Sequence, residues 1–382
     1  MESEEFAEIL AAVRRFVDKE VIPAEDEIEE TDRIPDRIRE AAAEMGLFGY
    51  ALPEEYGGLG LSMSEEVQLA MAVGRTTPAF RSMFGTNNGI AGQVLVNFGT
   101  EDQQQRYLPG LASGELIGSF ALTEADAGSD PSGLRTKAVR TEDGGFRITG
   151  EKRFITNAPQ ADVFMVFART GEVADGAKGI SVFAVDADLP GVTVGRPDTK
   201  MGQRGAQTAV IHFDDVVVGA EALIGGVEGE GFAAAMRSLA KGRLHISALC
   251  VGLAERLIEE MVSHAATQTQ GGIPIGQFQL VQAMLADSRT EAYAGRAMVI
   301  EAARSYDDGT DQRTAPSCAK LFCSEMVDRV ADRAVQVHGG MGYMRETTVE
   351  RFYRDARLFR LYEGTSEIQR TIIAKQMLRE AS

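Results

Sequence analysis

The residues best suited to chemistry lie near the C-terminus, in Arg357-Leu-Phe-Arg-Leu-Tyr-Glu-Gly-Thr-Ser-Glu-Ile-Gln-Arg370. One carboxylate, Glu363, stands between an aromatic residue, Tyr362, and a glycine, Gly364, that can break a helix. Helical patterning precedes the break and resumes after it. A carboxylate at such a break can be held in an apolar pocket, where desolvation raises its pKa toward the working range of a general base. The plainer alternative is a surface glutamate at a helix end, and this segment alone does not decide between them. Metal chemistry has little support. The four histidines are scattered with no His-Glu-x-x-His pattern, and Cys250, Cys318 and Cys323 have no Cys-x-x-Cys spacing.

Three further segments bring together glycines, hydroxyls and aromatic residues. The first is Gly118-Ser-Phe-Ala-Leu-Thr-Glu-Ala-Asp-Ala-Gly-Ser-Asp130, followed by Phe154-Ile-Thr-Asn157. The second is Met201-Gly-Gln-Arg-Gly-Ala-Gln-Thr-Ala-Val-Ile-His-Phe-Asp-Asp-Val216, and the third is Gln336-Val-His-Gly-Gly-Met-Gly-Tyr343. With the Tyr-Glu-Gly-Thr turn, their order and spacing resemble the acyl-CoA dehydrogenase family of flavoproteins over essentially the whole chain. Four motifs in the right order are specific where any one of them is weak.

The resemblance implies FAD-dependent dehydrogenation of an acyl-CoA thioester to a trans-2-enoyl-CoA, as in fatty acid metabolism. Glu363 would be the base that removes the α-proton, while flavin N5 takes a hydride from the β-carbon. The α-proton is too weakly acidic for a carboxylate unless the thioester oxygen is polarised as charge develops on it. In the family the base residue's own backbone N–H and a flavin ribityl hydroxyl do this. Some members carry the base on an earlier helix, at a position that corresponds to Gly242 here, so no carboxylate competes with Glu363. That places the chain nearer the short- and medium-chain pattern.

By the same resemblance, Phe120, Leu122, Thr123, Gly128 and Ser129 run along the flavin, with Ser129 also facing the pantetheine arm. Phe154 would pack on the isoalloxazine, and the Thr156 hydroxyl would sit near its N5. Gln336, Gly339 and Gly340 would reach the cofactor's ribose and pyrophosphate from a neighbouring subunit, Thr365 and Glu367 would meet its adenosine side, and Gln279 would be a further cofactor-binding residue. Met236, Leu239, Arg243, Tyr362 and Gly364 would line the substrate site. A homotetramer and electron transfer to an electron-transferring flavoprotein are further implications.

The match departs from the family pattern in three places. Phe154 replaces a tryptophan, and the chain has no Trp. The Arg-x-x-Phe-Gly signature is replaced by Gln268-Thr-Gln-Gly-Gly272. That arginine makes a charge-assisted contact to the pyrophosphate worth roughly 1.5–3 kcal/mol, so Gln268 should weaken FAD binding by about one to two orders of magnitude. Ala240 stands where relatives often have Asp near the pantetheine arm. The last departure leaves open a carrier-protein-bound acyl substrate; the missing arginine leaves open a flavin-poor partner subunit of a hetero-oligomer.

Positioning these residues requires three kinds of segment. Phe6, Ile9, Leu10, Val13, Phe16 and Val17 have helical spacing, and helical patterns continue to about residue 118, broken by Pro53 and the Gly57-Gly-Leu-Gly60 turn. Between 119 and 222, short β-type runs such as Val163-Phe-Met-Val-Phe167 and Ile180-Ser-Val-Phe-Ala-Val185 are separated by turns, with Asp143-Gly-Gly145 a hairpin signal. From Phe232 the helical period returns. The expected fold is therefore α+β and multidomain: an N-terminal helical domain (1–118), a middle antiparallel β domain (119–225) and a C-terminal helical bundle (226–382). No βαβα alternation supports a Rossmann fold, so a flavin would be held by another device.

The 382 residues suffice to bury a large core in two or three domains. A net charge of −18 argues against electrostatic binding to nucleic acid or to an anionic membrane. The acidic start, Met1-Glu-Ser-Glu-Glu, is unlike a signal or transit peptide, and no apolar run approaches the ~20 residues of a bilayer span. With an odd cysteine count, a cytoplasmic location is expected.

Overall fold

The computed structural model describes residues 3–381. The first amphipathic pattern forms α1 (Ser3–Phe16), which buries Phe6 and Val13 and runs on into a single π-helical turn, Val17–Val21. Six helices follow: α2 (Glu25–Thr31), α3 (Asp36–Glu44), α4 (Met63–Val73), α5 (Pro78–Gly85), α6 (Ala91–Phe98) and α7 (Glu101–Ser113). Their starts are written locally. Ser62 with Glu65, and Thr100 with Gln103, form reciprocal capping boxes, and Thr77 caps a helix whose first residue is Pro78. The Gly57–Gly60 segment is a loop, as its lack of strand and helix context suggests.

The middle segment folds as one seven-stranded sheet: β1 (Gly118–Ala121), β2 (Lys137–Arg140), β3 (Phe146–Thr156), β4 (Val163–Arg169), β5 (Ile180–Asp186), β6 (Val192–Val194) and β7 (Thr208–Val218). Asp143-Gly-Gly145 does turn a hairpin, pairing Arg140 with Phe146. The sheet is mixed, however, which corrects the antiparallel expectation. β5 pairs antiparallel along all of β4, while β1 and one residue of β2 pair parallel with it, leaving both on its other edge. β4 is buried along its whole length. A continuous apolar run marks such a strand but carries no information about its neighbours' direction.

The C-terminal part is helical: α8 (Gly231–Thr267), α9 (Gln279–Asp307), α10 (Thr314–His338), α11 (Thr348–Ala356) and α12 (Ser366–Glu380). A small hairpin of β8 (Thr269–Gln270) and β9 (Ile273–Pro274) joins α8 to α9. Helices α1 to α5 share a single apolar core with α8, α9 and α10, whereas the sheet packs one face on α6, α7 and the start of α8. α8, about 55 Å long at 1.5 Å per residue, thus spans both cores. No helix among the described residues is long and apolar enough to cross a membrane.

Candidate active site

Where the two cores meet, a cavity of about 650 Å³ opens between the sheet, α8 and the 362–364 turn. Its wall brings together Phe120, Leu122, Thr123, Gly128, Ser129, Phe154, Thr156, Met236, Leu239, Arg243, Tyr362, Glu363 and Gly364. These come from β1, the loop after it, β3, α8 and the turn before α12, so segments separated by more than two hundred residues converge on one space.

Glu363 adopts a left-handed backbone conformation, φ 56°, and Gly364 follows at φ 87°. For a glutamate this costs of order 1 kcal/mol or more. The carboxylate atom Oε2 is fully covered and has no hydrogen-bond partner. It is seated against α8 at Gly242: a Cβ added there would lie 2.7 Å from Oε2 and 3.0 Å from Cδ. The absence of a side chain at 242 therefore makes room for the Glu363 carboxylate. Burial pushes the Glu363 carboxyl above the ordinary carboxylate range, and the cations Arg81, Arg243 and Lys320 pull it part of the way back. The Glu363 backbone N–H donates to no protein acceptor among the described residues.

Beside Glu363, Arg243 is 6% exposed and its Nε has no partner. Burial lowers the Arg243 pKa, and Glu363 acts in the opposite sense. A second buried group stands behind it. His245 Nε2 meets Glu66 Oε2 at 2.5 Å, and its Nδ1 meets Arg81 Nη2 at 3.2 Å, while Lys241 Nζ pairs with Glu66 Oε1 at 2.7 Å. Burial holds the His245 pKa down. With the imidazole neutral, Nδ1 accepts from Arg81 and Nε2–H donates to Glu66.

The sheet side is shaped by a bulge. Pairing of β3 with β7 slips between Lys152 and Ile155, and Phe154 there has φ 57° and is 62% exposed. A bulge re-aims a side chain, and this one leaves the Phe154 ring exposed on the cavity wall, with the Arg153 guanidinium 5.5 Å from its centroid. Asn157, also left-handed at φ 64°, ties the strand end to the helices by donating to Ser82 O and Thr86 Oγ1, each at 2.9 Å. The loop carrying Leu122 and Thr123 is pinned by fully buried Lys152. Its Nζ donates to Leu122 O at 3.1 Å and to Glu124 Oε1 at 2.8 Å. Burial lowers the Lys152 pKa to about 8, against the pull of Glu124.

An exposed aromatic ring beside Thr156, with open backbone at Gly128 and apolar Phe120 and Leu122, fits the flat ring system of a flavin. The other residues matched to the cofactor by resemblance lie elsewhere. Gln279, Gln336, Gly339 and Gly340 are exposed and outside the cavity. Gln336 lies 16 residues along α10 from Lys320, whose ammonium touches the Gly364 carbonyl, so roughly 24 Å of helix separates it from the turn. Thr365 is the N-cap of α12, its hydroxyl accepting from Ile368 N at 3.3 Å, and Glu367 is exposed in the first turn of that helix. Neither faces the cavity. Gln268 is the C-cap of α8, just before the β8–β9 hairpin, whose turn residues Gly271 and Gly272 have φ 59° and 79°.

Arg81, Lys320 and the buried Glu66–His245 pair escape sequence reasoning. Each is a common residue inside an ordinary helical pattern, with no local mark of what it faces. Among the described residues, no group of three or more His, Cys, Asp or Glu could hold a metal.

Comparison with known proteins gives the same outline. The chain matches the family descriptions "Acyl-CoA dehydrogenase, N-terminal domain" over residues 3–115, "middle domain" over 119–216 and "C-terminal domain" over 229–378. It is 41% identical over 370 residues to a probable acyl-CoA dehydrogenase, YngJ, of Bacillus subtilis (strain 168), covering 96% of both chains. It is 36% identical to the caffeyl-CoA reductase-Etf complex subunit CarC of Acetobacterium woodii, over 99% of both chains. The structure of butyryl-CoA dehydrogenase from Megasphaera elsdenii superimposes with a TM-score of 0.94, at 31% identity and 99% coverage of each chain.

Proposed function

Because the chain belongs to the acyl-CoA dehydrogenase family, a family of flavoprotein oxidoreductases, we propose that it oxidises the α,β-bond of an acyl-CoA thioester with FAD, and that Glu363 is the base. The observation that carries this reading is the seat of Glu363: a covered, unpartnered Oε2 pressed against Gly242, in a cavity that also presents Phe154, Thr156 and Arg243.

The chain's own groups divide the work. Glu363 takes the α-proton, with its raised pKa matched to a weak carbon acid. Its uncommitted backbone N–H is available to the thioester oxygen as negative charge builds there. Met236 and Leu239 supply apolar wall for the acyl chain, and Tyr362 and Gly364 flank the base. Phe154, Thr156 and the Leu122–Ser129 loop would hold the flavin ring, which when bound would supply the acceptor for the hydride leaving the β-carbon. Ribose and pyrophosphate contacts from Gln279, Gln336, Gly339 and Gly340 come from a second copy of the chain, within a homotetramer. An electron-transferring flavoprotein is the partner that reoxidises the enzyme, a proposal in keeping with the Etf complex to which the A. woodii relative belongs.

Anaerobic mixing with acyl-CoA esters of graded length and branching tests this reading. Bleaching of the flavin band by at least one ester is expected, with the rate falling about 10³-fold or more in Glu363→Gln. A flavin band that only a carrier-protein-bound acyl group bleaches would transfer the same chemistry to that substrate. Undiminished bleaching in Glu363→Gln would refute Glu363 as the base.

A further inference from the structure

We propose that Lys320 is a positioning residue for the base: a buried ammonium that pins the turn carrying Glu363 and so fixes where its carboxylate stands. This rests on the reading of Glu363 given above. Lys320 lies in α10 and is fully buried, yet none of the ion pairs among the described residues includes it. Its Nζ instead donates to the backbone carbonyl of Gly364, at 2.7 Å. Burying an ammonium with no carboxylate partner is costly, so this contact replaces a cheaper apolar one that α10 could make with any aliphatic side chain.

The contact acts on a backbone that would not hold its shape unaided. Glu363 and Gly364 are consecutive left-handed residues, a conformation that persists only where its surroundings over-determine it. Two donors over-determine it here. Besides Lys320, buried Gln369 on α12 donates from Nε2 to Glu363 O and to Gly364 O, both at 3.0 Å. A Cβ on Gly364 would stand 2.6 Å from that Nε2, so the turn and the clamp fit closely. With both carbonyls held by α10 and α12, the Glu363 side chain reaches the opposite way, to Gly242 on α8. Charged and titratable groups around Lys320 are Cys250 and Arg243 on α8, Glu363 on the turn and Glu325 on α10. Its charge acts on Glu363 in the same sense as those of Arg81 and Arg243. Lys320 is thus both a mechanical and an electrostatic support of the base.

The test uses the flavin-loaded enzyme with an ester that bleaches it, comparing Lys320→Met, Lys320→Gln and Glu363→Gln. Two quantities are read per bound flavin: the split of kcat from KM, and exchange of the substrate's α-protons with D2O by NMR, which reports the base without hydride transfer. Lys320→Met should lower both kcat and exchange about 10- to 100-fold while KM moves less than about threefold. Lys320→Gln keeps an N–H donor without the charge and should fall between the two. If Lys320→Met does not fold, Lys320→Gln against wild type carries the comparison. A lowered melting temperature with kcat and exchange unchanged, while Glu363→Gln is inactive, would overturn the proposal and leave the base assignment standing. Activity and exchange surviving in Glu363→Gln would overturn both.

Discussion

Burial destabilises the carboxylate of Glu363, which suits it to take a proton at the expense of the fold. A raised native pKa means that the protonated form is favoured on folding, so this group's contribution is full below the ordinary carboxylate range and is lost as pH rises through the native value. Glu363→Gln should therefore melt at a higher temperature than wild type at pH 8 and show little difference at pH 4, which thermal scans at the two pH values would check. Activity should have the opposite dependence, with kcat/KM rising through a pKa above that of an ordinary glutamate. Gly242 makes a separate prediction. Alanine in a helix interior is favoured over glycine by about 1 kcal/mol, but its Cβ would stand 2.7 Å from Glu363 Oε2. Gly242→Ala should keep its flavin and melt no lower than wild type, yet lose roughly 10- to 100-fold in kcat as the carboxylate is displaced. Wild-type kcat in this variant would show that the seat of the carboxylate does not govern the chemistry.

At the scale of elements, the α8–α9 hairpin decides how a family signature can be lost without losing the fold. Gly271 and Gly272 both have positive φ and make the two-residue turn between β8 and β9. A phenylalanine at 271, as in the family signature, would be strained in this turn. Gln268, by contrast, makes its structural bonds through its backbone: its N–H donates to His264 O and its carbonyl accepts from Ile275 N, each at 2.8 Å. Gln268→Arg should therefore be neutral for stability and tighten FAD binding by about one to two orders of magnitude, as read by titration of apoprotein. Gly271→Phe should destabilise by about 1–2 kcal/mol, as read by denaturant midpoint. Unchanged FAD affinity in Gln268→Arg would show that other residues have taken over the missing contact.

For the whole molecule, the proposed reading gives the cavity of one chain the ring end of the flavin but not the residues matched to its pyrophosphate. The exposed faces that carry those residues are also apolar: Phe278, Leu280 and Tyr293 on or beside α9, Met341, Tyr343 and Met344 after α10, and Met377 and Leu378 on α12. Burying that surface between copies would complete the site and cover the patch at once. Light scattering should give four times the 41.2 kDa chain mass. Leu280→Glu, at 81% exposure in the single chain, should shift the mass downward and release FAD together. Dissociation with full FAD retention would separate assembly from cofactor binding.

What the sequence determined by itself is what depends on neighbours along the chain. The Tyr362-Glu363-Gly364 turn, the capping boxes at Ser62 and Thr100, the Asp143-Gly-Gly145 hairpin and the helix–sheet–helix order all follow from local conformational preference and hydrophobic period. The family motifs place Glu363, Phe154 and Arg243 on one site for the same reason, since each motif is a short contiguous string. Only the tertiary structure decided which way the strands beside β4 run, that Phe154 stands exposed on a bulge, and that Gly242 seats the carboxylate. It alone put Arg81 and Lys320 among the cations around Glu363, and joined Glu66 to His245 across 179 residues. A periodic pattern reports whether a residue faces inward, and nothing about which buried charge it meets there. That is settled by the packing of helices distant in sequence, and the pKa of Glu363 is settled with it.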